Sequence, residues 1–208
     1  MTIRTIIRTG LVSAICAVSL TGCVTVGVGG SGEPVTSLLT LRADAAAPAG
    51  TLARAGGEDG VGAIAVLIPE TPAKLDVLRV PVAVSETEIA YLQQATWVEK
   101  PARLFRRLLG ETLRTQTGAL VLDSDDTPLL AGRIVRGTLR EMGYDAGTSS
   151  VIIQYDAVVS IPDGEVISRR FEARESGVSA EPGAVGDALN RAANIIAGEV
   201  AAWVAEAS

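Results

Sequence analysis

The sequence predicts a two-layer α+β domain: a mostly antiparallel sheet with two amphipathic helices on one of its faces. Three observations lead there. Short apolar runs broken by Pro and Gly come first, then a helical stripe over residues 104–113, then three longer segments of strand character. A second helical stripe closes the chain. Both stripes are apolar on one side only, which suits helices laid on a sheet.

Taken in order, the first segment stands outside that domain. Arg4 and Arg8 precede an apolar run over residues 11–20, which ends in Leu20, Thr21, Gly22 and Cys23. A cationic start, a short apolar core and small residues before a cleavage point have the layout of a secretory signal. The core is too short to span a bilayer. The ending Leu-Thr-Gly-Cys resembles a bacterial lipobox, in which the Cys23 thiol takes a diacylglyceryl group and becomes the mature N-terminus. Residues 1–22 are then the signal, residues 23–36 a lipidated glycine-rich tether, and residues 37–208 a single folded domain. A flexible tether of this length reaches roughly 20 Å. Gly27, Gly29 and Gly32 match the spacing of a dinucleotide-binding turn, but no buried strand precedes them, so that match is discarded.

Residues 37–42 form a short strand, followed by an Ala-, Gly- and Pro-rich loop over 43–62. The unbroken apolar run 61–68 suits a strand covered on both faces, and Pro69 and Pro72 end it. Segments 78–84 and 88–92 are extended, the first assigned toward a sheet edge by Pro81. The first helix opens at Lys100-Pro101, where proline is tolerated, and closes at Gly118. Its stripe is Leu104, Phe105, Leu108, Leu109 and Leu113, with Arg103, Arg106, Arg107 and Arg114 off it. A buried strand over 119–122 follows, and then an acidic turn. Strands at 132–142, 150–161 and 165–173 complete the sheet, the last two joined by a hairpin in which Gly164 supplies positive φ. Glu181-Pro182 opens the final helix, whose stripe is Val185, Leu189, Ala192, Ile196, Val200 and Trp203.

Composition narrows the chemistry. Residues 1–22 contain two arginines and no acids, so their removal leaves 16 basic against 24 acidic residues and moves the net charge from -6 to -8. An acidic chain of this kind is a poor ligand for nucleic acid, which needs cations to neutralise phosphate. There is no histidine, which removes the commonest general base and metal ligand together with Ser-His and Cys-His nucleophiles. Cys23 is the one cysteine of the mature chain, so no intrachain disulfide can form. Aromatics are 3% of the chain, which leaves Val, Ile, Leu and Ala to fill the core. Neither lysine, Lys74 or Lys100, sits three residues after a serine, as a Ser-Lys hydrolase would require. Asp123, Asp125 and Asp126 fail as a calcium loop because the sixth position is Pro128 and not Gly. No enzyme activity, cofactor or metal is expected. The arginines at 103, 106 and 107 are the candidate partner-binding residues, weighed against an ordinary solvated helix face.

A lipobox and, after it, several features over residues 37–206 occur together in order. They are the lipobox, Leu38, Leu39 and Leu41 in one strand, the apolar strand at 63–68 leading into Pro72, Lys74 and Leu75, the run 91–97, Pro101 with Leu104, and later Arg169, Arg170 and Phe171. In this succession the chain resembles the ABC-type transport auxiliary lipoprotein family. It departs from the pattern in the long loop 43–62 and in carrying Met142 and Tyr144 where an aromatic residue often ends the strand. The resemblance implies a periplasmic lipoprotein, anchored at the outer membrane by its lipid. It would be a non-enzymatic subunit docking with an Mce-type protein of an ABC lipid transport system. Val24 in place of Asp after the lipidated cysteine agrees with the outer membrane by analogy with enteric sorting. Assembly of several copies into a homo-oligomer would suit an oligomeric partner. The alternatives are a lipoprotein that itself binds a lipid or peptide in a groove between helices and sheet, and a structural envelope lipoprotein.

Overall fold

The computed structural model describes residues 36–53, 55, 62–123, 131–161 and 164–207, all within the unit Pro34–Ser208. In chain order these form β1 (Ser37–Leu39), β2 (Ile64–Val66), a 3-10 turn (Ala73–Leu75), β3 (Pro81–Ala83), β4 (Ile89–Tyr91), β5 (Ala95–Trp97), α1 (Pro101–Thr117), β6 (Val121–Leu122), β7 (Arg133–Asp145), β8 (Ser150–Ser160), β9 (Val166–Ser176) and α2 (Pro182–Glu206). Cys23, the signal, the tether up to residue 35 and the acidic turn beyond Asp123 lie outside the described residues.

β7 organises the main sheet. Along one side it pairs antiparallel with β8, from Ile134↔Ser160 to Asp145↔Ser150, and β8 pairs antiparallel with β9 from Ser150↔Ser176 to Ser160↔Val166. Its other side is shared by β2 at the start (Ile64↔Arg133) and β3 at the end (Val82↔Tyr144), both parallel. Between them Glu70 bridges to β7: its N–H donates to Gly137 O at 2.9 Å, and its carbonyl accepts from Leu139 N at 2.9 Å. Pro69 and Pro72 lack the N–H that a continuous ladder would need, so one segment serves β7 in pieces.

The α+β class and the placement of both helices on one sheet face agree with the sequence, but the sheet is mixed and not mostly antiparallel. β2 also pairs parallel with β6, and β1 pairs parallel with β5 in a separate two-stranded sheet. The cause is connection length. Hairpins deliver antiparallel strands, whereas the short runs before α1 return to the sheet through long crossovers, which deliver parallel ones. Two further differences concern single residues. Pro81 begins β3, where its missing N–H costs no ladder bond, and β3 lies between β4 and β7; the edge strand is β4. β5, not anticipated as a strand, holds Trp97 against β1.

Both helices begin and end as their sequences require. Pro101 and Pro182 occupy first-turn positions, and Gly118 caps α1 in the left-handed conformation at φ 65. α2 lies over β7, β8 and β9, α1 over β2 and β6, and the helices pack on each other. Beneath them β8 buries Val151, Ile153, Tyr155, Ala157 and Val159 completely. Each of the Val and Ile side chains among them contributes about 1.5–3 kcal/mol relative to exposure. Though few, the aromatics gather at this interface: Phe105 meets Tyr155 with ring centroids 5.0 Å apart, and Phe171 meets Trp203 edge-on at 5.6 Å. The loop after β1 is fastened to the helices. Arg42 N–H donates to Asn190 Oδ1 at 2.8 Å, Asp44 N–H to Asn194 Oδ1 at 2.9 Å, and Ala47 N–H to Glu111 Oε1 at 2.6 Å.

Candidate interaction surface

The three arginines proposed for partner contact separate in the structure. Arg103 and Arg107 are exposed on α1. Arg106 is buried at 8% exposure, so it leaves the candidate surface. The reason is a second buried row, Ala102, Arg106 and Gly110, running at four-residue steps beside the Leu and Phe stripe. Gly110 permits close approach there, because a Cβ would stand 2.9 Å from Asp123 Oδ2. Arg114 also has a local duty. It ion-pairs with Glu111 and lies 3.6 Å from Asp123, and its Nη2 donates to Val121 O at 3.3 Å, which ties the end of α1 to β6.

What remains on the helix is a small charged patch around Glu99. Arg107 Nη1 donates to Glu99 Oε1 at 2.9 Å. That hydrogen bond is the main cause holding the Glu99 carboxyl below its ordinary value, with the charges of Arg107, Arg103 and Arg106 acting in the same direction. Apolar side chains are exposed just before and in the β3–β4 hairpin, where Leu78, Val84 and Ile89 are 43%, 45% and 49% exposed. β4 pairs with β3 alone, so its other edge keeps unpaired backbone groups among the described residues.

A second surface was not foreseen from the sequence. The outer face of β7–β9, opposite the helices, carries a connected charged layer. Its hub is Asp156 on β8, which accepts from Arg140 Nε of β7 and, on the other side, from Arg170 of β9, with Nε to Oδ1 at 2.6 Å and Nη2 to Oδ2 at 2.9 Å. The Arg170 hydrogen bond, then that of Arg140, brings the Asp156 carboxyl down to about 2. Lys74 Nζ reaches Glu141 at 2.5 Å, and Gln154 Nε2 donates to Glu172 Oε2 at 2.9 Å. A β-bulge makes this layer possible. Leu139 faces Tyr155 and Glu141 faces Gln154, so Arg140 is the extra residue, and two successive charged side chains reach the same face. An open groove of about 580 Å³ runs between Lys74, Arg140, Glu141 and Arg170. It is lined by charged and polar side chains together with Pro72 and is open to solvent, which suits a polar protein surface. The polar residues at alternate positions of β8 and β9 were the visible signal; the bulge that completes the layer had none.

No family model matches this chain, and no curated protein matches it by sequence. Solved structures do match in fold. A Xanthomonas campestris protein, XCC0632, of the DUF330 family is similar at a TM-score of 0.61 with 18% identity, over 82% of this chain and 94% of that one. A second crystal structure, of an uncharacterized protein, matches at a TM-score of 0.61 with 15% identity, over 68% of this chain and 91% of that one. At such identities the likeness is one of fold: the arrangement of helices and mixed sheet described above recurs in chains of different sequence.

Proposed function

We propose that this chain is a lipid-anchored, non-enzymatic docking subunit of the cell envelope. It sits on the periplasmic face of the outer membrane and works with an Mce-type protein of an ABC lipid transport system. The lipobox at Cys23 and the resemblance over residues 37–206 supply the anchor and the system. Two or three acyl chains, at about 0.8 kcal/mol for each buried methylene, hold such a protein stably on a bilayer. No helix among the described residues is long and apolar enough to cross a membrane, so in this reading the lipid is the attachment.

One observation favours docking over lipid carriage. The space between helices and sheet is filled by Trp97, Phe105, Tyr155, Leu109 and Met142, all 1% exposed or less, while the groove of about 580 Å³ lies on the outer sheet face and is lined by charged and polar side chains. A carrier of acyl chains needs an apolar cavity of several hundred Å³. The test is co-purification of the full-length chain with the Mce-type protein of the same envelope at low salt, for the wild type and for the Arg103→Glu, Arg107→Glu double variant. Retention of the partner by the wild type is expected, with loss in the double variant. Failure of the wild type to retain it overturns the docking reading, whereas equal retention by both moves the contact to the β4 edge or the outer groove.

A further inference from the structure

The main sheet has three ends, and they differ in one respect. β4 and β6 are edge strands of three and two residues, too short to template another strand. β9 is eleven residues long, pairs only with β8 among the described residues, and contains no proline, glycine or bulge. Val166, Ser168, Arg170, Glu172, Arg174 and Ser176 are exposed on its outer face, and Arg169 is exposed on the inner one. Ile161 N–H donates to Glu165 O at 3.0 Å, which sets the phase of the ladder. Odd-numbered residues of β9 exchange hydrogen bonds with β8, and even-numbered ones turn their N–H and C=O groups to the free edge.

We propose that this edge is a two-fold interface at which β9 pairs antiparallel with β9 of a second copy, centred on Phe171. The strand's length and its charges together select that register. Centring on Phe171 pairs all eleven residues and places Arg170 opposite Glu172 of the second copy, twice by symmetry. Moving the centre to residue 170 sets Arg170 against itself. Moving it to residue 172 sets Glu172 against itself and Arg170 against Arg174. The register that uses the whole strand is therefore also one that pairs opposite charges. Arg170 has a donor for this purpose, since Asp156 takes its Nε and Nη2 and leaves Nη1.

The flank of α2 beside this edge exposes one large apolar side chain, Ile195, between the charged residues Arg191 and Glu199. Arg191 pairs with Glu175 of β9 at 2.6 Å, and three turns on Trp203 packs on Phe171, so this flank of α2 follows β9. Between them, one turn after Arg191, Ile195 is 54% exposed. A single copy leaves that side chain in water.

The test uses the full-length chain in mild detergent. In the Arg169→Cys, Ala173→Cys double variant the two thiols of one chain lie about 13 Å apart along the strand, beyond disulfide reach. Across the two-fold, residue 169 faces residue 173 of the second copy at a position without ladder hydrogen bonds, where side chains are closest. Mild oxidation should convert this variant to a thiol-reducible dimer, while the wild type and the Ala173→Cys single variant stay monomeric on a non-reducing gel. Absence of a dimer, or an equal dimer from Ala173→Cys alone, overturns the interface or its register. A second measurement avoids any packing change at residue 173. Glu172→Arg, at an exposed site, should weaken self-association by about tenfold in sedimentation, because two attractive rungs become repulsive. An unchanged association constant, or a wild type that is monomeric throughout, contradicts the proposal.

Discussion

Along β8, neighbouring residues live in different solvents. Tyr155 points inward, fully buried against Phe105, and burial alone pushes its phenol pKa up, so the ring stays neutral. Asp156 points outward, and its carboxylate is held charged by two arginines from the adjoining strands. The inner face draws its stability from area and shape. On the outer face it comes from ion pairs in contact with water, which contribute little to folding but present defined charge to a partner. A sheet that exposes one face divides its labour in this way, and each face has its own sensitivity to substitution.

The largest effects belong to the inner layer. Leu108→Asp or Ile196→Asp places an unpaired carboxylate among fully packed apolar groups, and each should lower unfolding stability by about 3–5 kcal/mol. Gly137→Ala comes next. A Cβ on β7 there would meet Asp156 O at 2.1 Å and the Tyr155 ring at 2.9 Å, so the strand pair must part. The expected loss is about 1–3 kcal/mol, read from the midpoint of urea unfolding. Within α1, Arg106→Glu should destabilise clearly and Arg107→Glu hardly at all. They are adjacent, but one is buried and the other's side chain is 53% exposed. Equal midpoints for these two variants would break the division between the faces of the helix.

The smallest predicted effect follows pH. Asp156 has its folded-state pKa near 2, below its ordinary 3.8, so its contribution is complete above about pH 4 and disappears as pH falls through 2. The stability difference between wild type and Asp156→Asn, of order 1 kcal/mol or less at neutral pH, should shrink over that window. A difference that grows on acidification would reverse the assigned role of the arginines.

Much of the inner layer was legible in the sequence because its signals are local. Lys100-Pro101 and Gly118 bound α1, Glu181-Pro182 opens α2, and the alternation of Val151, Ile153, Tyr155, Ala157 and Val159 names the buried face of β8. What was missed depends on partners distant in the chain. β5 is a strand because residues 37–39 lie beside it, and a three-residue segment has no pattern that predicts such a neighbour. Pro81 looked like an edge signal because its place at the start of β3 is set by where β7 ends. Arg106 looked solvated because arginine usually is, and its burial follows from a row of small neighbours on α1. The Asp156 cluster needed the bulge at Arg140, which shows only when the cross-strand register is known. The candidate surfaces were thus half legible: the exposed arginines 103 and 107 from the helix period and the polar side of β8 and β9 from strand alternation, but not the bulge at Arg140 that completes the charged layer.

Tyr155 and Asp156 allow the division to be tested at one point in the chain. Urea unfolding of the full-length protein, with Tyr155→Ala and Asp156→Asn compared to wild type at neutral pH, separates the two faces without changing the strand or its register. A loss of about 3–5 kcal/mol for Tyr155→Ala is predicted, from the cavity left against Phe105 and Gly137, against 1 kcal/mol or less for Asp156→Asn. Equal losses, or a larger one for Asp156→Asn, would contradict the claim that the inner face holds the fold while the outer face is left for interaction.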